Sequence, residues 1–463
     1  MNRKILSMVL ILLGAASLLT VWGLNRAQVV STCIVLLVIS GTLFYWERRL
    51  VFALFGLAVL LCTGLIDVPH LIEFAGLDII LFLVGMMLLI GFLEDRQFFE
   101  YLMERLVEFV GPHGHRLVIV ILCMAALAAA LVDEVTSILF MSATMIQLTK
   151  RYKVPAIPFI MMVVFTTNVG SSATVVGNPI GVIIALRAGL TFSDFIRWAT
   201  PLSIMALLIT LGICLLYFSK ELAALDRAIK ERHQTRLHLE LDQRKGPPKD
   251  NRLCWTLFAL TVAGLIGHHP LEELFHLQKN TMLLGVALLA GGAALALAGE
   301  KARELFDKRV DWWTLAFFLA LFASVGTLKY VGTTGLLAGW VSRISQGNPL
   351  VLLTTVGTTA GLLTAFMDNV LAVATLIPVV KDLGALGVQT FPLWWILLFA
   401  GTVCGNATII GSTANIVAAG VLEREKEGRF GFMAWAKPGV LVSVIPLVIA
   451  IFLLFIQIPF MPK

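Results

Sequence analysis

The sequence predicts an all-α polytopic membrane protein, with about eleven transmembrane helices plus two re-entrant hairpins in two inverted repeats carrying discontinuous helices. Three observations point there. The chain of 463 residues is 59% hydrophobic and only 14% charged, with mean hydropathy +0.91, a balance no soluble domain of this length carries. Its apolar runs recur near the ~20 residues that cross a bilayer. One unusual pattern occurs twice: an acidic tip inside an apolar stretch, followed by a Gly/Ser/Thr/Asn-rich break in an apolar helix.

Taken in order, spans are predicted near 5–22, 28–45, 50–66, 78–94, 157–186, 199–219, 253–269, 281–299, 311–328, 392–417 and 437–458. The first could pass for a secretory signal, but it lacks an evident small-residue cleavage site and many spans follow, so it reads as a span. The stretches 116–149 and 350–381 are too long for one span, and each carries its acid near the middle. Each reads as a re-entrant hairpin with the acid at its tip, because an acid flanked by Leu131 and Ile138 makes a poor surface turn. The alternative is a pair of ordinary spans. Amphipathic stretches at 98–110 and 331–344 read as interfacial helices or, equally, packed core helices.

The segments sort into N-terminal scaffold spans (1–75), a first repeat (76–219), a cytoplasmic linker (220–252), connecting spans (253–300) and a second repeat (301–463). With the N-terminus cytoplasmic, most of the 35 Lys and Arg fall on the cytoplasmic side, as the positive-inside rule requires. The net charge of +6 therefore sets orientation, not nucleic-acid binding. A bacterial inner (plasma) membrane is the expected location. The linker, punctuated by Gly246-Pro247-Pro248, reads as a solvated tether, helical at its start. The repeat extends beyond the motifs: Asp133 and Asp368 are 235 apart, Ala173 and Ala407 234, and Phe195-x-x-Trp198-x-x-Pro201 matches Phe432-x-x-Trp435-x-x-Pro438 at 237. An odd number of spans between the units inverts one against the other.

The chemistry lies in the tips and breaks. The first tip is Asp133-Glu134-Val135-Thr136 and its break Asn168-Val169-Gly170-Ser171-Ser172-Ala173-Thr174-Val175-Val176-Gly177-Asn178-Pro179; the second tip is Asp368-Asn369 and its break Gly405-Asn406-Ala407-Thr408-Ile409-Ile410-Gly411-Ser412-Thr413-Ala414-Asn415. Glycine and proline end the helix, and hydroxyls and amides satisfy the freed backbone. A broken span offers an N-terminus to anions and carbonyls to cations. Carboxylate with small polar oxygens suits Na⁺ or a proton, so Na⁺ is expected at Asp133, Asn168, Asp368 and Asn406. An isolated Ser or Gly more often serves packing; the twofold combination with the two acids argues for a site. Glu134 is weaker, since its repeat mate is Asn369. Neither motif contains Arg or Lys. His268-His269 could form a proton or metal site, but two histidines at a span end are more often interfacial, and the six cysteines show no paired or metal-binding spacing. No nucleotide-binding loop is present, so an ion gradient is the expected driving force, with no cofactor beyond a coupling ion.

Together with Phe82-Leu83-Val84-Gly85-Met86-Met87-Leu88-Leu89, the first tip and first break resemble the arsenite-permease and melanosomal P protein branch of the ion transporter superfamily, which also holds sodium/proton antiporters and citrate-transporter-like symporters. The resemblance covers roughly residues 50–460. It implies a hairpin and a discontinuous helix in each repeat, a homodimer, and elevator-type alternating access. Two features depart from that pattern. Relatives carry Asp-Asn and Gly-Asp-Pro where this chain has Asp133-Glu134 and Gly177-Asn178-Pro179, and the Ser-Asn-Thr tips of dicarboxylate symporters are absent. The expected function is secondary active transport of a small inorganic anion, oxyacid or carboxylate, coupled to H⁺ or Na⁺. A Na⁺/H⁺ antiporter is the alternative; a passive channel or an intramembrane enzyme fits less well.

Overall fold

The computed structural model describes residues 3–98, 114–234 and 251–462. The described residues contain no strand, and ten of their helices are long and apolar enough to cross a membrane. In chain order they begin with α1 (Arg3–Val21), α2 (Arg26–Phe44), α3 (Arg49–Cys62), α4 (Val68–Phe74) and α5 (Leu77–Asp95). Next come α6 (Gly114–Leu131), α7 (Glu134–Tyr152), α8 (Ala156–Gly170), α9 (Pro179–Ala188), α10 (Thr200–Tyr217) and α11 (Ser219–Gln234). Then follow α12 (Asn251–Leu274), α13 (Thr281–Ala298), α14 (Ala302–Arg309), α15 (Trp312–Tyr330) and α16 (Thr333–Ser345). The last five are α17 (Pro349–Phe366), α18 (Asn369–Ala385), α19 (Phe391–Val403), α20 (Thr413–Arg424) and α21 (Phe432–Gln457).

Local chemistry sets several of these boundaries. The span predicted near 50–66 stops at Cys62 because Gly64 takes a left-handed φ of +70° and the Leu65 and Gly64 amides close back on Leu60 and Leu61. Asn25 and Gln28 form a capping box that starts α2. Both long apolar stretches become helix pairs that pack on each other, α6 with α7 and α17 with α18, each turning at its acid. Both spans expected to be discontinuous are broken, at 171–178 and 404–412. The amphipathic stretch at 331–344 is α16, which packs against α17 and α18. Its counterpart at 98–110 lies, beyond Phe98, outside the described residues, as does 235–250 of the linker.

The helices form two compact units, between which the chain passes within α5, α19 and α21 and before α15. The first unit holds residues 1–81, 311–401 and 451–463. At its centre α15 packs against α2, α3, α4 and α18, approaching α4 so closely that a Cβ on Gly326 would lie 2.4 Å from Phe74. The second unit holds residues 82–310 and 402–450. Its centre is α8, buried almost along its whole length, with α6, α7, α10 and α20 around it. A Cβ on Gly170 would lie 2.2 Å from the Ala126 carbonyl oxygen, so α6 and α8 touch backbone to backbone. The start of the linker is not free: α11 buries Leu222, Leu225 and Ile229 in this unit's core and packs on α6 and α7.

Candidate functional site

The first break begins where α8 runs out at Gly170, and Asn178 restarts the helix by accepting from the Gly181 amide at 2.8 Å. Pro179 takes the first helical position, where a missing N–H costs nothing. Between them, hydroxyls hold the backbone. Ser171 donates to the Asn168 carbonyl (2.9 Å), Ser172 to the Val169 carbonyl (2.7 Å), and Thr174 to the Ala130 carbonyl beside the first tip.

The second break does the same with an amide. Asn415 Nδ2 donates to the Gly405 and Thr408 carbonyls, both at 2.8 Å, and Ser412 caps α20 by accepting from the Ala414 amide. A Cβ on Gly405 would lie 2.9 Å from the Gly411 carbonyl oxygen, so this turn also needs its glycine. The matched motifs after each break buttress it: Thr200, beside Pro201, donates to the Ala173 carbonyl, and Trp435 Nε1 donates to the Asn406 carbonyl at 2.9 Å.

The two breaks lock into each other through Asn168. Its Nδ2 donates to Asn406 Oδ1 (2.7 Å) and Asn415 Oδ1 (2.8 Å), and its Oδ1 accepts from Ser412 Oγ (3.2 Å). Asn406 in turn donates to the Phe165 carbonyl at 3.2 Å. All four side chains are fully or nearly fully buried, so each bond replaces one that water would otherwise have made.

The first tip meets the first break. Asp133 caps α7, its Oδ2 accepting from the Thr136 amide (3.0 Å) and hydroxyl (3.2 Å). Glu134, fully buried, accepts from Ser171 Oγ at 3.2 Å, and Asn178 Nδ2 donates to that same oxygen at 2.8 Å. In front of the tip lies a cavity of ≈ 80 Å³, several times the ~10–15 Å³ one water needs. Asp133, Thr136 and Asn178 line one side, Phe82, Met86 and Met87 add apolar wall, and Glu94 and Arg309 complete it.

Sequence reasoning missed that last pair. Arg309 bridges Glu94 (Nη1 to Oε2, 2.9 Å) and Asp95 (Nε to Oδ1, 3.0 Å) at the partly exposed rim, with 32% of Arg309 and 24% of Glu94 accessible. Its stem lies where a Cβ on Gly91 would stand, 2.5 Å from Arg309 Cβ, and that glycine was the available signal. Neither motif contains a basic residue, yet the cavity in front of the first tip has one.

Asp133, Thr136 and Asn178 thus face the cavity. Glu134, Gly170, Ser171, Ser172 and Thr174 support it from behind, while Asn168, Gly405, Asn406, Thr408, Ser412 and Asn415 form the interlock. Asp368 and Asn369 belong to the first unit. Asp368 caps α18, accepting from the Val370 (3.0 Å) and Leu371 (3.4 Å) amides. In that unit Arg49, which lies just outside the span predicted near 50–66, is only 6% exposed. Its Nη2 donates to Thr314 Oγ1 (2.6 Å), it lies over the Trp46 and Phe317 rings, and the carboxylates of Asp368 and Asp311 act on it electrostatically.

Comparison with known proteins decides what this arrangement belongs to. The citrate transporter family profile matches residues 34–400 and 336–461. The chain belongs to the citrate transporter family. An uncharacterised transporter of Mycobacterium tuberculosis is 30% identical over 385 residues, covering 82% of this chain and 86% of that one. The P protein of Homo sapiens is 25% identical over 494 residues, 90% of this chain and 58% of that one. The Alcanivorax borkumensis YdaH transporter, whose crystal structure is described as revealing an unusual topology, shares the fold at TM-score 0.55 and 16% identity, covering 88% of this chain and 89% of that one. The protein is an integral membrane transporter, not an enzyme.

Proposed function

We propose that this transporter is a secondary active carrier that moves a small carboxylate anion, coupled to Na⁺ or H⁺ taken up at Asp133. The observation that carries this reading is the cavity, where a tip carboxylate, a hydroxyl and an amide face a guanidinium across a space sized for a small solute. Coupling ion and anion neutralise each other there, which makes occupancy without the ion unfavourable. The family description supports a carboxylate. The missing Ser-Asn-Thr tips imply that Arg309, rather than a tip, meets the anion.

The wider reading is alternating access by two inverted repeats, with re-entrant hairpins, a homodimer in a bacterial inner membrane and a cytoplasmic N-terminus. The inverted sequence repeat and the paired breaks support it. The test is uptake of radiolabelled citrate, malate and acetate into proteoliposomes under imposed Na⁺ or proton gradients. Gradient-dependent, saturable uptake of one of them is expected, and none above protein-free liposomes would sink the reading.

A second reading, Na⁺/H⁺ exchange without an anion, is favoured by the two carboxylates, Asp133 and Glu94, that share the cavity with one cation. In inside-out vesicles it predicts Na⁺-dependent collapse of a proton gradient that needs no carboxylate.

A further inference from the structure

Arg309 is gripped by two acids that differ in what they face. On one flank Nη1 pairs with Glu94 Oε2 at 2.9 Å, and Glu94 lines the cavity with Asp133 and Thr136. On the other flank Asp95 Oδ1 accepts from Nε at 3.0 Å and from Nη2, with 47% of the Asp95 side chain open to solvent. The base of the arginine is fixed separately. A Cβ on Gly91 would lie 2.5 Å from Arg309 Cβ, so α14 ends packed against α5.

An anchoring role explains Asp95 but not Glu94. One carboxylate is enough to neutralise one guanidinium, and the second leaves the trio with an excess of negative charge. Both acids also close α5, where the helix dipole favours cations and opposes carboxylates. Neighbouring residues of a helix point in different directions, so the two reach Arg309 from separate sides and either contact can open without the other. A guanidinium carries five N–H donors in a fixed fork. Nη1 can therefore exchange its partner while Nε and Nη2 stay on Asp95.

We propose that Glu94 is a tethered competitor of the transported anion: it holds the Nη1 position that the substrate carboxylate takes, and it swings to water at the rim when the two exchange. The inference rests on the carboxylate reading of the cavity and adds a residue that sets the affinity of that site. The exchange replaces one charge-assisted bond by another of the same kind. It strands no buried charge, because Glu94 is 24% accessible where it stands and reaches water by turning outward. Asp133 and Glu94 then have different tasks, the first to take the coupling ion and the second to keep the anion's hold on Arg309 weak enough for release.

The test measures KM and kcat for radiolabelled citrate, malate and acetate in proteoliposomes, at constant pH and with the coupling-ion gradient saturating. Glu94→Gln should lower KM for the transported anion roughly threefold or more without raising kcat, since an amide makes only the weaker neutral bond to Arg309. Asp95→Asn should raise KM, because Arg309 then answers to Glu94 alone. In an Arg309→Gln background Glu94→Gln should leave KM unchanged. Uptake by the wild type with KM unchanged or raised in Glu94→Gln overturns the competitor and leaves the carboxylate reading standing, as does a fall in KM that persists without Arg309. A wild type that takes up none of the three anions removes the carboxylate reading and the competitor with it. If Glu94→Gln fails to fold, Glu94→Asp decides: it keeps the charge but draws it back by one methylene, so KM should fall in the same direction, and an unchanged KM overturns the proposal.

Discussion

Asn168→Ala tests the interlock between the two breaks. The substitution removes the donor to Asn406 Oδ1 and Asn415 Oδ1 and the acceptor for Ser412 Oγ. The asparagines keep their other bonds, to the Phe165, Gly405 and Thr408 carbonyls, so the loss is confined to two orphaned carbonyl oxygens. At about 1–3 kcal/mol for each buried group left unsatisfied, the destabilisation is about 2–6 kcal/mol. Hydrogen bonds between membrane helices measured by mutant cycles run lower, at about 0.6 kcal/mol each, which places the expected value towards the bottom of that range. The hydroxyl of Ser412 adds little, because it can turn to another acceptor. The assay is reversible unfolding of the purified protein in mixed micelles, run as a double-mutant cycle with Asn406→Ala. A loss near 2 kcal/mol is expected, with a favourable coupling of at least about 0.5 kcal/mol between the two positions. A strictly additive cycle, with Asn168→Ala within about 0.5 kcal/mol of wild type, would refute the interlock.

Further expectations follow from the same geometry. Asp133→Asn keeps an acceptor for the Thr136 amide, so it should fold as wild type while losing gradient-driven uptake; circular dichroism and a proteoliposome flux assay check both halves. Arg309→Gln should raise KM for a carboxylate substrate more than it lowers kcat, with Arg309→Lys intermediate, since lysine keeps the charge but not the fork that spans Glu94 and Asp95. Gly170→Ala drives a methyl into the Ala126 carbonyl and should cost about 1–3 kcal/mol, whereas Gly212→Ala, with nothing within 4 Å, should be neutral in the same thermal unfolding assay. Arg49→Met removes the buried guanidinium that faces Asp311 and Asp368 and should lower Tm measurably, while Arg48→Met, at the exposed end of the same turn, should not.

The fold was legible because membrane physics leaves few options. Apolar runs give span positions, and the two acid-bearing stretches could only turn at Asp133 and Asp368. The breaks were legible for the same reason: Gly170, Gly177 and Pro179 weaken or end a helix, and the polar residues between them had to serve the freed backbone. Pairing was not. Nothing in the spacing says that Asn168 meets Asn406 and Asn415 directly, or that Asn178 turns to the cavity while Asn168 does not.

Charges near helix ends were the least readable. Arg49, Arg309 and His268 all sit where a span meets a loop, and composition assigns such residues to water. Only packing shows that Arg49 is covered by Trp46 and Phe317, that Gly91 makes room for Arg309, and that His268 turns inward. The polar linker was misjudged in part for a related reason. Its start carries Leu222, Leu225 and Ile229 at helical spacing, a buried stripe inside a charged segment.

The most direct measurement is uptake of a radiolabelled carboxylate into proteoliposomes under an imposed Na⁺ or proton gradient, comparing wild type with Asp133→Asn at matched protein incorporation. Accumulation against the carboxylate gradient that collapses to facilitated equilibration or to nothing in Asp133→Asn is the predicted result. Full accumulation by the variant would contradict it, because the coupling ion would then have no need of the carboxylate at the cavity.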